Sequence, residues 1–91
     1  MAQLGLDPAQ MKALANTMVE EAGSIEASSS TVDGKLRSTW WQGNDQKQFV
    51  GQWDGQHRKA LKSAADLLRQ AAKHITKEAE QQIQASDAGR H

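Results

Sequence analysis

Apolar residues recur at helical spacing along almost the whole chain, and no proline follows Pro8 to interrupt them. In the first part, one set recurs every seven positions, namely Leu4, Met11, Met18, Ile25 and Val32. A second set fills the intermediate positions, namely Ala15, Ala22, Ser29 and Leu36. These spacings are typical of an amphipathic helix with a heptad seam. Because the second set is rich in small residues, another helix can approach closely there.

The ends of this first helix are marked by particular residues. Pro8 suits the first helical position, Asp7 can cap it, and Gln10 can complete a capping box. Residues 28–31 and Gly34 are poor helix formers and weaken the other end. The pattern therefore predicts helix one over about residues 8–37.

A second helix is predicted over about residues 45–85, with Asn44 or Asp45 as its cap. Its apolar face comprises Phe49, Trp53, Leu61, Ala65, Leu68, Ala72, Ile75 and Ala79. A second stripe beside it comprises Ala60, Ala64, Leu67 and Ala71. Because this stretch contains no proline, we expect one continuous helix followed by a short frayed tail over residues 86–91.

Length and composition restrict the class of protein. The chain has 91 residues, one proline, no cysteine and no tyrosine, which suits one small helical domain without a disulfide or thiolate metal site. The first seven residues carry no basic cluster, and no apolar run approaches the ~20 residues that a membrane span needs. We therefore expect neither a signal peptide nor a membrane span.

The charges are balanced overall but divided unevenly between the two halves. Residues 1–45 carry three basic and six acidic residues, whereas residues 46–91 carry eight basic and five acidic residues. The net charge of zero argues against bulk attraction to nucleic acid or anionic lipid. Antiparallel packing of the two halves would be electrostatically favourable.

Two helices cannot bury both apolar stripes against each other alone, so a partner is expected. The predicted fold is all-α, a helical hairpin of two long antiparallel helices joined by a turn at about residues 40–44. Two such hairpins would dimerise into a four-helix bundle. The expected dimer seam comprises Met11, Met18, Ile25, Leu61, Leu68 and Ile75.

The junction between the helices carries the most distinctive motif. Trp41 and Gly43 lie two residues apart. They suit a turn between helices, because a glycine can close a tight turn and an indole can pack at the corner. Phe49 and Trp53 follow on the second helix, and Trp40 precedes the motif. In its central Trp41-Gln42-Gly43 motif, trailing aromatics and length, the chain resembles the WXG (Trp-x-Gly) family of small type VII secretion substrates, the early-secreted-antigen-like proteins.

The resemblance covers about residues 5–85 and implies a non-enzymatic protein. Such a protein is made in the cytoplasm and secreted without a signal peptide by a type VII system. It pairs in antiparallel fashion with itself or with a sister WXG-family protein, and the dimer is delivered to the secretion ATPase of the export machinery. The alternative is an intracellular helical adaptor or chaperone for a larger effector or toxin.

Many proteins of this family, or one partner of each pair, carry a Tyr-x-x-x-Asp/Glu export signal beyond the paired region. This chain has no tyrosine. His74 and Glu78 match the signal by position, because residues four apart share one helix face. They are therefore a degenerate export signal or, alternatively, part of an ordinary solvated face.

No catalytic residue, cofactor site or metal site is predicted. The histidines lack zinc-ligand spacing, and the run of Ser28, Ser29 and Ser30 has no nucleophile motif or nearby histidine. A basic flank on the second helix is interpreted as a solvated face or an intersubunit match to the acidic first helix. It comprises Lys59, Lys62, Arg69, Lys73 and Lys77.

Two local features leave alternatives open. Trp40 cannot share the pocket of Trp41, so it is either partly exposed or covered by a partner. Gly51 and Gly55 each cost about 1 kcal/mol in a helix relative to Ala. They mark either close contact with another helix or a tolerated weak position.

Overall fold

The computed structural model describes residues 7–41, 43 and 45–88. Its elements are helix α1 (Pro8–Ser38), helix α2 (Asp45–Gln52), a π-helical segment (Trp53–His57) and helix α3 (Arg58–Ala88). No strand occurs in these ranges. The molecule is an elongated rod of 73 × 19 × 17 Å in which α1 packs along α3. The predicted all-α helical hairpin is therefore confirmed.

Both ends of α1 are closed by nearby side chains. The Asp7 carboxylate accepts a hydrogen bond from the Ala9 amide at 3.1 Å, and Pro8 occupies the first helical position. At the other end the backbone becomes extended at Thr39, whose N–H donates to the Lys35 carbonyl oxygen at 3.0 Å. Lys35 and Arg37 lie in the last turn, where positive charge is favourable. The predicted Asp7 cap is confirmed, whereas Leu4 lies outside the described residues.

The buried seam between α1 and α3 is built mainly from alanine. Its buried members on α1 are Ala15, Ala22 and Leu36, and those on α3 are Ala65, Ala72 and Ala79. Ser29 continues the α1 series and is half-buried. Within each helix these residues recur every seven positions, so they form one stripe that faces the other helix. Small side chains allow the two backbones to approach closely but bury little apolar area.

The second long helix predicted from the sequence is confirmed, but its α-helical periodicity is interrupted, because a π-helical segment lies between α2 and α3. In an uninterrupted α-helix, at about 100° per residue, Trp53 would lie about 120° around the axis from Ala65. A π-helical turn accommodates one extra residue, which reduces this offset to about 20°. Trp53 thereby joins the seam and is only 6% exposed.

Two further boundaries differ from the expectation. The frayed tail predicted from Ser86 is partly wrong, since α3 continues to Ala88; residues 89–91 lie outside the described part. Helix α2 begins at Asp45, and the other candidate cap, Asn44, is also outside the described residues.

Candidate functional site

An apolar edge runs along one side of the hairpin. Each of its members precedes a seam residue by four positions and is half-buried or exposed, namely Met11, Met18, Ile25 and Val32 on α1 and Leu61, Leu68 and Ile75 on α3. Because four residues turn an α-helix by about 40° beyond a full turn, all of them lie on the same flank of their own helix. The fold therefore brings the six predicted dimer-seam residues to one surface, together with Val32.

The apolar edge continues onto the outer face of α3. The second stripe predicted from the sequence, Ala60, Ala64, Leu67 and Ala71, is half-buried or exposed along its length. Leu67 is 64% exposed and Val32 is 47% exposed. Exposed apolar residues that are contiguous rather than scattered are typical of an interaction surface.

The opposite flank of the hairpin is charged. Glu26 follows the seam residue Ala22 by four positions, and Arg69 follows Ala65 by four. The two guanidinium nitrogens of Arg69 donate to the two carboxylate oxygens of Glu26 at 2.7 and 2.6 Å. These hydrogen bonds and the charge of Arg69 lower the pKa of Glu26. We call this flank the charged edge; its ion pair links α1 to α3 directly.

Near the turn, Asp33 is the centre of a second polar cluster. Its carboxylate accepts a hydrogen bond from the Trp53 indole N–H at 2.9 Å and from the Arg37 Nε at 3.1 Å. Arg58 lies 3.7 Å away, and Arg37 also donates to Asp54 at 2.6 Å. The pKa of Asp33 is lowered, chiefly by the indole hydrogen bond and then by Arg37. The cluster ties the π-helical segment to α1.

The turn itself holds an aromatic pair. The Trp41 and Phe49 rings stack with centroids 5.8 Å apart, and the Trp41 indole N–H donates to the Leu36 carbonyl oxygen at 3.3 Å. Gly43 has a φ of 64°, a conformation that disfavours side chains with a β-carbon. Trp41 is half-buried, whereas Trp40 is 80% exposed. Of the two alternatives for Trp40, the single hairpin shows the exposed one. The middle residue of the motif, Gln42, lies outside the described residues.

Sequence reasoning missed two contacts that hold the turn together. It placed Trp53 on an apolar face but not against Asp33, and it gave no role to Gln46. The Gln46 side-chain amide donates to the carbonyl oxygens of Leu36 and Thr39 at 3.2 and 3.1 Å, satisfying acceptors left free at the end of α1. Both contacts depend on the π-helical segment, which changes the side of the helix on which Trp53 and Gln46 lie. A prediction that assumes uninterrupted α-helical periodicity therefore does not find them.

The remaining predicted features lie on open surface. His74 Nε2 lies 3.9 Å from the Glu78 carboxylate, and both side chains are largely solvent-accessible. A β-carbon added at Gly51 or Gly55 would meet no atom within 4 Å, so neither glycine serves close packing within the hairpin. In the described ranges, no group of metal-ligating side chains converges, and no helix is long and apolar enough to cross a membrane.

Comparison of the chain with protein-family models, curated proteins and solved structures finds no match.

Proposed function

We propose that this protein is a non-enzymatic substrate or export partner of a type VII secretion system that acts as a dimer. The observation that supports the proposal is the apolar edge on a helical hairpin whose turn contains Trp41 and Gly43. A face of this kind needs a covering partner, because a hairpin of two helices leaves it in water. The export role rests on the resemblance of the turn and its flanking aromatics to the WXG family.

In the proposed dimer, two hairpins bring their apolar edges together as a four-helix bundle. Leu61, Leu68 and Ile75 form the middle of the interface, and Leu67 extends it on the outer face of α3. The charged edge points away from this interface, since its residues lie on the opposite flank of both helices. The partner is a second copy or a sister protein with the same kind of edge.

The dimer is tested most directly at Leu68. Leu68→Asp places a charge in the middle of the apolar edge, where burial without a partner charge costs several kcal/mol. Size-exclusion chromatography with light scattering on the purified chain is expected to show a dimer for the wild type and a monomer for the variant. Gln70→Asp adds the same charge to an exposed polar position on α3 and is the matched control.

A wild-type monomer that stays well folded at micromolar concentration would exclude self-association. In that case, the dimer proposal would depend on a sister protein. Equal dimer affinity of the Leu68→Asp variant and the wild type would show that the interface lies elsewhere.

Export is tested by following the protein into the culture supernatant of cells with and without the secretion ATPase. Trp41→Ala is expected to lower export while leaving the dimer intact, because the indole lies at the turn rather than on the apolar edge.

Glu78→Ala is expected to lower export without loss of helicity if His74 and Glu78 form a degenerate signal. A protein retained in the cell under both conditions would favour the intracellular adaptor instead.

A further inference from the structure

A groove of about 460 Å³ opens between the middle of α1 and the beginning of α3. Ser29 and Ser30 line it from α1, while Arg58, Lys59 and Lys62 line it from α3. Lys59 and Lys62 line it from the charged flank of α3, whereas Leu61, which also lines it, belongs to the apolar edge. The groove is large enough for a small organic ligand.

Two acidic groups line the groove, Glu26 and Asp54, and each accepts its shortest hydrogen bonds from an arginine that does not line it. Both oxygens of Glu26 accept hydrogen bonds from Arg69 at 2.6 and 2.7 Å. The Asp54 carboxylate accepts one from Arg37 at 2.6 Å. The strongest hydrogen bonds of the two carboxylates are therefore made to arginines outside the groove.

The cations that line the groove are held much less tightly. Arg58 lies 3.4 Å from Asp54, and Lys62 lies 3.5 Å from Asp66. Among the described residues, Lys59 forms no ion pair, and the hydroxyls of Ser29 and Ser30 form no hydrogen bond within the chain. The lining carries three cations and two carboxylates, a net charge of +1, and it presents the unused donors of Lys59, Ser29 and Ser30 beside the apolar side chain of Leu61.

We propose that this groove binds a phosphomonoester dianion. The guanidinium of Arg58 and the ammonium groups of Lys59 and Lys62 supply the positive charge, and the hydroxyls of Ser29 and Ser30 donate to the remaining phosphoryl oxygens. Leu61 contacts the organic part of the ligand. This inference does not rest on the proposed export function, because the cations and hydroxyls that bind the phosphoryl group lie outside the apolar edge; Leu61 alone is shared with the proposed dimer interface.

The test is an NMR titration of the full chain with phenyl phosphate at pH 7.5 and constant ionic strength. We expect saturable shifts at the amides of Ser29, Ser30 and Lys59, and weaker binding of inorganic phosphate, which lacks the group that contacts Leu61. A second titration with a short phosphoserine peptide distinguishes a protein-borne phosphoryl group from a small metabolite, since the phosphoryl chemistry is the same in both.

The double variant K59Q/K62Q is expected to weaken phenyl phosphate binding at least about tenfold, the effect of losing charge-assisted hydrogen bonds. The matched control K73Q/K77Q removes the same charge from α3 outside the groove and should bind as the wild type does. Circular dichroism checks that both variants remain helical. Equal loss in the two variants, or shifts that never saturate, would overturn the proposal.

Discussion

The shaft of the hairpin and its turn end are held together in different ways. Along the shaft, α1 and α3 meet through alanines at seven-residue spacing, and each contact buries little area. At the turn, the large buried ring of Trp53 packs at the seam and donates to Asp33, while Gln46 satisfies the end of α1. The difference teaches that the turn end contains the hairpin's larger internal contacts, whereas the shaft remains available to a partner.

The strongest test of this comparison is Trp53→Ala. We expect the variant to lose about 3–5 kcal/mol of unfolding free energy, because it removes a buried ring and leaves Asp33 without its indole donor. Chemical denaturation at one fixed protein concentration measures the effect. Trp40→Ala removes a ring that is 80% exposed, so it should change stability by less than about 0.5 kcal/mol. Similar losses for the two variants would contradict the importance of the turn end.

The shaft is tested by enlarging one of its alanines. Ala72→Leu inserts a larger side chain where the helices approach closely, and we expect it to cost about 1–3 kcal/mol. The control Ala60→Leu makes the same change at an exposed position on α3 and should cost little. Thermal unfolding followed by circular dichroism compares the two. If the Ala72→Leu variant were as stable as the wild type, α1 and α3 would not be in close contact at Ala72.

A smaller difference in stability is expected between glycine substitutions at the turn and in the helix beside it. Gly43→Ala places a β-carbon on a residue with φ of 64° and should cost about 1–2 kcal/mol. Gly51→Ala, in contrast, fills open space in α2 and should stabilise the protein by about 1 kcal/mol. Opposite signs in thermal unfolding are the expected result. Stabilisation by both substitutions would show that the turn does not need a positive φ.

The smallest effect concerns the ion pairs of Glu26, on the charged edge, and of Asp33, in the cluster near the turn. Their carboxyls, Glu26 and Asp33, have lowered pKa values in the folded chain, so their contribution is present above about pH 4, the ordinary carboxyl range. It is lost as the pH falls through the lowered folded-state values. Denaturation at pH 7 and pH 3 should therefore show less pH dependence in the E26Q/D33N variant. An unchanged pH dependence would assign acid destabilisation to other groups.

The sequence by itself determined the two long helices, the cap at Asp7, the turn at Gly43 and the residues that form the apolar edge. These depend on local propensity and on a period that any helix of this sequence must follow. It also identified Ala15 and Ala22 as positions where another helix can approach closely. The export function and the dimer seam remain predictions from pattern and resemblance.

Only the tertiary structure decided which stripe is buried within one hairpin and which remains outside. Periodicity defines the faces of a helix but does not select the partner of each face, so the alanine seam and the apolar edge are equally regular in sequence. The structure also decided that Trp53, rather than Trp41, is the buried indole. The physical reason is the π-helical segment, whose extra residue rotates Trp53 towards Asp33 and Gln46 towards the end of α1.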